Sequence, residues 1–76
     1  MRPEWHINHY DRGRPTESWT VFQYGHGEHA SCTSYAAAEA ALRLFGGPEG
    51  LLAYEKYMVG LVGPAEFKSR QAGSAR

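Results

Sequence analysis

The sequence lacks the features that mark secreted, membrane-spanning and strongly charged proteins. It has one cysteine, Cys32, so no disulfide can form within the chain, and no charged leader followed by an apolar run precedes the first strand-like segment. Its longest nearly apolar run, residues 58–62, is far shorter than the about 20 residues that a membrane-spanning helix needs. Eight basic and eight acidic residues cancel, which argues against a general phosphate-binding surface and against an acidic mimic of nucleic acid. We therefore expect a soluble protein in a reducing, cytoplasmic setting.

Catalytic and nucleotide-binding patterns are also missing. The glycine-containing segment 24–28, YGHGE, has neither the Lys nor the Ser or Thr of a phosphate-binding loop, so it indicates a turn. Cys32 and four histidines could supply a thiol and a base, but no residue pattern supplies an orienting group or an oxyanion hole. A chain of 76 residues also has a thin core, worth about 3 to 5 kcal/mol, that leaves little room for a deep pocket. We predict a protein that is not an enzyme and needs no cofactor.

One spacing resembles that of a metal site. His26, His29 and Cys32 form an H-x-x-H-x-x-C pattern whose atom types suit zinc. Strand alternation, however, sends His29 and Cys32 to opposite faces, and the paired thiols of strong zinc motifs are absent. The pattern therefore favours a polar turn entering a strand, with no structural metal.

Hydrophobic alternation with a period of two predicts three strands, at residues 5–10, 19–24 and 29–32. The Asp-, Gly- and Pro-containing segment 11–17 predicts a loose hairpin loop, and glycines in segment 24–28 predict the second reversal. The predicted inner face of the sheet consists of Trp5, Ile7, Trp19, Val21, Ala30 and Cys32.

The second half of the chain predicts two helices joined by a tight connection. Thr33 or Ser34 can cap the first helix, which is rich in alanine. Its predicted buried stripe is Tyr35, Ala38, Leu42 and Phe45. Gly46 would end this helix and Pro48 would begin the second, at about 48–59. The expected fold is α+β, a three-stranded antiparallel sheet followed by two helices, in one compact domain over 1–64 with a flexible, mildly basic tail over 65–76.

Helix two carries more apolar surface than a small sheet can cover. Its stripe is Leu51, Tyr54, Met58 and Leu61. Leu52, Val59 and Val62 lie beyond that stripe. The excess predicts either that the helix wraps over the end of the sheet or that two copies pair, with a twofold homodimer through helix two as the expected form.

The outer face of the predicted sheet is the best candidate for binding. Tyr10, Phe22 and Tyr24 would be its anchors, bordered by Arg12 and Arg14. Aromatic residues and arginine are enriched in the centres of protein interfaces, which predicts a protein partner. The same residue types stack on nucleobases, so a small nucleic-acid-binding module is the alternative. A third interpretation is that helix two or the N-terminus folds over this face and makes it a second small core.

Part of the chain is similar to small β-β-β-α modules with a capped, alanine-rich helix. The similarity lies in the order of Trp19-x-Val21, a glycine turn and the segment SCTSYAAAEAALRLF. In its size, aromatic surface and lack of a catalytic motif, the whole chain resembles small stand-alone proteins of phages and mobile elements, especially anti-CRISPR proteins. That resemblance implies an inhibitor in the cytoplasm of a bacterial host that binds a Cascade-like CRISPR surveillance complex and blocks recognition of target DNA. Zero net charge departs from the acidic, DNA-mimicking members of that group. Contact through aromatic side chains and arginine would take the place of mimicry.

Overall fold

The computed structural model describes residues 2–73 and opens with a three-stranded sheet. Its strands are β1 (Trp5–Tyr10), β2 (Ser18–Gln23) and β3 (Gly27–Cys32). They pair antiparallel in the order β1-β2-β3, so β2 is central. A register shift between Val21 and Phe22 interrupts the β2–β3 ladder, as a β-bulge does. The predicted α+β fold, a three-stranded antiparallel sheet followed by helices, is confirmed.

Two helices follow, α1 (Tyr35–Val62) and α2 (Pro64–Gly73). Ser34 caps α1, since its Oγ accepts a hydrogen bond from the Ala37 N–H at 3.1 Å. Gly47 bends α1, because its φ of 76° and ψ of 172° are not helical. We call residues 35–46 the first arm and residues 48–62 the second arm. Pro48 suits the first turn of the second arm, where its missing N–H costs no hydrogen bond.

The core lies between the sheet and the helices. Its buried hydrophobic residues are Ile7, Val21, Tyr35, Ala38, Leu42, Tyr54, Met58 and Phe67. Ile7 and Val21 are register partners, so their side chains share one face of the sheet. Trp5, Trp19 and Cys32 are half-buried and pack against this core, on the predicted inner face.

Trp5 and two glycines bring α1 close to β1. A Cβ atom added to Gly46 would lie 2.8 Å from the Cδ2 and Cε2 atoms of Trp5, and one added to Gly50 would lie 3.0 Å from its Cδ1 atom. The indole therefore rests directly on the helix backbone at both sides of the bend. Gly46 was predicted to end the first helix in a left-handed conformation, and this prediction is wrong. The residue with the positive φ is Gly47, and the absence of a side chain at Gly46 makes room for the indole.

The end of the chain differs from the predicted tail over 65–76. Residues 64–73 form α2, and Phe67 is only 6% exposed, so the packed unit extends beyond residue 64. Gln71 donates hydrogen bonds to both carboxylate oxygens of Glu39, at 3.0 and 3.3 Å, which ties α2 to the first arm. A lone phenylalanine in a polar segment has no periodicity, so the sequence pattern did not indicate this helix. Residues 74–76 lie outside the described residues.

The apolar surface of α1 also differs in part from prediction. Phe45 and Leu61 are exposed, although both were assigned to buried stripes. Val62, predicted to be surplus, packs against the core. Leu52 and Val59 are exposed as predicted, and the homodimer through this helix stays a prediction. Within residues 2–73, no helix is both long and apolar enough to cross a membrane.

The contact between Trp5 and Gly46 generates a first testable prediction. Gly46→Ala should lower the free energy of unfolding by about 1 to 3 kcal/mol, because the new methyl group overlaps the indole. Gly60→Ala is the matched control, since a Cβ at Gly60 meets nothing within 4 Å and alanine favours helix. Urea denaturation measures both variants. Equal stability of the two would show that Trp5 does not rest on the helix.

Phe67 generates a second prediction. Phe67→Ala should cost about 3 kcal/mol or more, enough to unfold much of so small a protein, because it truncates a buried aromatic side chain. Lys68→Ala, at the exposed neighbouring position, should change stability by less than about 0.5 kcal/mol. Thermal denaturation followed by circular dichroism compares them. If Phe67→Ala melts like wild type, residues after Pro64 are a tail and not part of the core.

Candidate functional site

The five predicted binding residues form two separate groups. Phe22 and Tyr24 lie together, with ring centroids 5.1 Å apart at an interplanar angle of 76°. Tyr10 is 44% exposed at the far end of β1, with Arg12 and Arg14 in the exposed loop beyond it. Phe22 pairs in register with His6, which lies four positions before Tyr10. Phe22 and Tyr10 are therefore about 13 Å apart along the strand direction. The outer face therefore does not gather all five residues into one patch.

The Phe22 end of the outer face is partly covered, as the third sequence interpretation proposed. The Arg2 guanidinium carbon lies 4.0 Å from the centroid of the Tyr24 ring, a cation–π contact from the N-terminal segment. His6, the register partner of Phe22, lies 6.0 Å from Tyr24 between ring centroids. Both contacts cover Tyr24, and Phe22 and Tyr24 are half-buried, while Tyr10 stays exposed.

At the Phe22 end of the outer face, aromatic contacts extend from the sheet to α1. The His6 ring meets Tyr54 edge-on at 5.3 Å and Tyr57 edge-on at 6.0 Å. We call His6, Phe22, Tyr24, Tyr54 and Tyr57 the aromatic cluster. The sequence pattern predicts Tyr54 on the buried stripe of helix two and indicates no role for Tyr57. Their spacing of three puts both on one side of a helix, but only the path of the second arm shows that this side meets His6.

An open groove of about 1030 Å³ runs between β1 and the second arm. Residues 6–9 of β1 form one wall, and Tyr54, Tyr57, Met58 and Leu61 form the facing wall. Tyr24, Trp19, Arg12 and Arg70 also line it. Of the predicted binding residues, the groove includes Tyr24 and Arg12 but not Tyr10, Arg14 or Phe22. Four of the five members of the aromatic cluster line the groove, which makes it the candidate site.

His6 is an unpaired polar group in this wall. Its Nδ1 atom is buried and has no hydrogen-bond partner among the described residues. Burial lowers the pKa of His6 below the ordinary value of 6.5, because the imidazolium form would lose its hydration. The imidazole is therefore neutral near pH 7. A bound group that reached Nδ1 would satisfy a hydrogen-bonding atom that the protein leaves unsatisfied.

The far side of the groove is anchored by a buried pair of phenols. The Tyr35 and Tyr54 hydroxyl oxygens are 2.9 Å apart, and Tyr54 is 1% exposed. Burial raises the pKa of Tyr35, helped by its hydrogen bond to Tyr54, and burial raises the pKa of Tyr54 to about 12. Both phenols are neutral at physiological pH. Phe67 meets the two rings edge-on, at 6.3 and 6.4 Å, and closes this part of the core from α2.

Most of the ionisable side chains that line the groove, apart from His6 and the phenols, have a partner of opposite type. His9 Nε2 lies 2.5 Å from a Glu17 carboxylate oxygen, and the His9 ring stacks on Trp19 with centroids 4.5 Å apart. Arg70 pairs with Glu66 at 3.2 Å. Arg12 makes no ion pair with any residue from 2 to 73, so its charge is available at one end of the groove.

The histidines and the cysteine that resemble a zinc motif lie in another part of the sheet. The rings of His26 and His29 stack with centroids 4.8 Å apart, and His29 Nε2 lies 2.9 Å from the Gln23 side-chain oxygen. Cys32 is opposite Trp19 in the ladder and packs against the core. In the part of the chain that the structure describes, no three His, Cys, Asp or Glu side chains are grouped to hold a metal ion.

Comparison with known proteins adds no functional assignment. No protein-family model, curated protein or solved structure matches the chain. The geometry of the groove and the aromatic cluster therefore provides the basis for inferring a function.

The buried imidazole generates a third prediction. The unfolded chain binds a proton at His6 at higher pH than the folded chain does, so the stability present above about pH 6.5 should fall as pH drops toward the lowered pKa. His6→Phe keeps a ring in the cluster and removes the titration. Urea denaturation at pH about 7.5 and about 5.5 should show a larger loss for wild type than for His6→Phe. Equal losses in the two proteins would contradict a neutral, buried His6.

Proposed function

We propose that this protein is a non-enzymatic inhibitor that acts by binding another protein in the groove between β1 and the second arm. The observation that carries the proposal is that the rings of Tyr24 and Tyr57, backed by the buried Tyr54, line an open groove with the unpaired Arg12 at one end. Tyrosine and arginine, together with tryptophan, are enriched at the energetic centres of protein interfaces. A rigid aromatic wall also loses little side-chain entropy when a partner binds.

The chemistry of the groove supports binding over catalysis. Its two buried phenols, Tyr35 and Tyr54, have raised pKa values and do not ionise near neutral pH. Its His6 imidazole is neutral but has no hydrogen-bonded acidic partner within residues 2–73 that would orient it as a general base. These groups can position a partner without donating or accepting protons in a reaction.

For the partner, we propose a Cascade-like CRISPR surveillance complex in the cytoplasm of a bacterial host, whose recognition of target DNA the protein would block. This part of the proposal is supported by the resemblance in size and character to anti-CRISPR proteins. Zero net charge fits a mode in which the protein contacts the complex directly and does not imitate DNA.

The alternative function is a small nucleic-acid-binding module, in which the same rings stack on bases. The charges of the groove favour protein. Arg70 is paired with Glu66, Glu17 borders the groove, and the whole chain has no excess of positive charge. Nucleic-acid affinity should fall steeply with salt as counterions are released, whereas an aromatic protein contact should respond weakly. Titration at two salt concentrations therefore separates the two functions.

Tyrosine truncation provides the fourth prediction. Tyr57→Ala should weaken partner binding by about 2 kcal/mol, roughly thirtyfold, because it removes a ring from the wall of the groove. Tyr10→Ala is the matched control: it truncates the same residue type at an exposed position outside the groove. Circular dichroism melts first establish that both variants fold.

Two readouts then test the variants. The first is capture of a protein partner from nuclease-treated bacterial lysate, and the second is restoration of phage plaques on a CRISPR-immune host. We expect wild type and Tyr10→Ala to succeed in both, and Tyr57→Ala to fail. A loss confined to Tyr10→Ala would place the binding surface at the other end of the outer face. Capture that disappears with nuclease treatment would favour the nucleic-acid function instead.

A further inference from the structure

Among the described residues, β1 has a neighbouring strand on one side only. The strand order β1-β2-β3 puts β1 at an edge, where β2 is its only neighbouring strand in the described chain. Edge strands carry a row of N–H and C=O groups that can pair with another chain. The groove lies along this strand, because residues 6–9 line it consecutively.

The hydrogen-bond pattern identifies which groups face outward. Just before β1, the Tyr24 N–H donates to the Glu4 C=O at 2.8 Å, so these two residues form a hydrogen-bonded pair. In an antiparallel ladder such pairs alternate with pairs that do not exchange hydrogen bonds. Because Glu4 belongs to a hydrogen-bonded pair, Ile7 and His9 belong to pairs that do not exchange hydrogen bonds with β2. Their N–H and C=O groups therefore point away from β2, on the side of β1 that has no neighbouring strand.

The groove also has a second wall, formed by α1, and a positively charged residue at one end. The second arm contributes Tyr54, Tyr57 and Leu61 across from β1, so an occupant would lie between a strand and a helix. Toward the start of β1 the path is closed, because Trp5 rests on Gly46 and Gly50. Pairing would therefore use the portion of β1 after Trp5, with Arg12 beyond its end.

We propose that an extended segment of the partner protein adds to the sheet as a fourth strand beside β1. This inference rests on the proposed protein-binding function and specifies its mode. The segment pairs its backbone with Ile7 and His9 and places alternate side chains against Tyr57 and Leu61. Unpaired Arg12 favours an acidic residue at the corresponding end of the segment. Backbone pairing supplies affinity, and the tyrosine wall supplies side-chain selectivity.

The probe is a displayed library of random linear peptides of about eight residues, long enough for one strand, selected against the full chain. A selected peptide is then resynthesised with single N-methyl groups, each of which removes one backbone donor. Strand addition predicts that N-methylation weakens binding by about tenfold or more at every second residue and little at the residues between. The amides of Ile7 and His9 should also become protected from hydrogen exchange in the complex.

A backbone substitution in the protein tests the same contact. His9→Pro removes an outward-facing N–H at an edge position, where proline is tolerated in sheets. His9→Ala removes the same side chain and keeps the N–H, so it is the matched control. We expect His9→Pro to bind the selected peptide about tenfold or more weakly than His9→Ala. If His9→Pro does not fold, the N-methyl series with wild-type protein decides.

Three results would overturn strand addition. They are N-methyl effects without a two-residue period, unchanged exchange of the Ile7 and His9 amides, and a selection that yields no peptide dependent on Tyr57. These results are independent of the partner-capture experiment. If Tyr57→Ala still abolishes capture, the protein-binding function stands and only the docking mode is different. Capture that depends on nucleic acid would instead defeat the function and this inference together.

Discussion

The bend at Gly47 determines how the rest of the molecule is arranged. Its left-handed φ of 76° redirects the chain between the arms of α1, and Pro48 restarts the helix. A residue with a Cβ adopts this conformation only at a cost, so glycine makes the turn inexpensive. Because of this turn, the first arm supplies Ala38 and Leu42 to the core while the second arm reaches β1. A straight α1 would leave the edge of the sheet without a facing wall.

The site depends on this geometry through a chain of contacts that passes from α2 to the sheet. Phe67 packs against the rings of Tyr35 and Tyr54, whose hydroxyls bond each other, and Tyr54 meets His6. The Phe67 contacts join α2 to α1, the hydroxyl bond joins the two arms of α1, and the last contact joins α1 to β1. The binding surface and the core therefore share residues. In a domain of this size, which buries only about 60% of its extended surface, such double use is expected.

Local patterns were sufficient to predict the fold class. Alternation identified the strands, and a hydroxyl residue, Thr33 or Ser34, before an alanine-rich run identified the start of α1, which Ser34 caps. The groove could not be predicted in this way. Tyr57 faces β1 only because the second arm follows a particular path after the bend, and no periodicity encodes that path. Tyr10 and Phe22 share strand parity, but parity does not report distance along the strand, so they appeared closer together than they are.

The contact of Trp5 with Gly46 and Gly50 links positions more than 40 residues apart in the chain. A methyl group at Gly46 is sterically incompatible with the indole, whereas a smaller side chain at position 5 would leave space for it. Substitutions at these positions should therefore be coupled during evolution, and a relative with alanine at position 46 should also have lost the tryptophan. Because this coupling is independent of overall sequence similarity, a paired Trp and Gly at this spacing offers a way to recognise distant members of the same lineage.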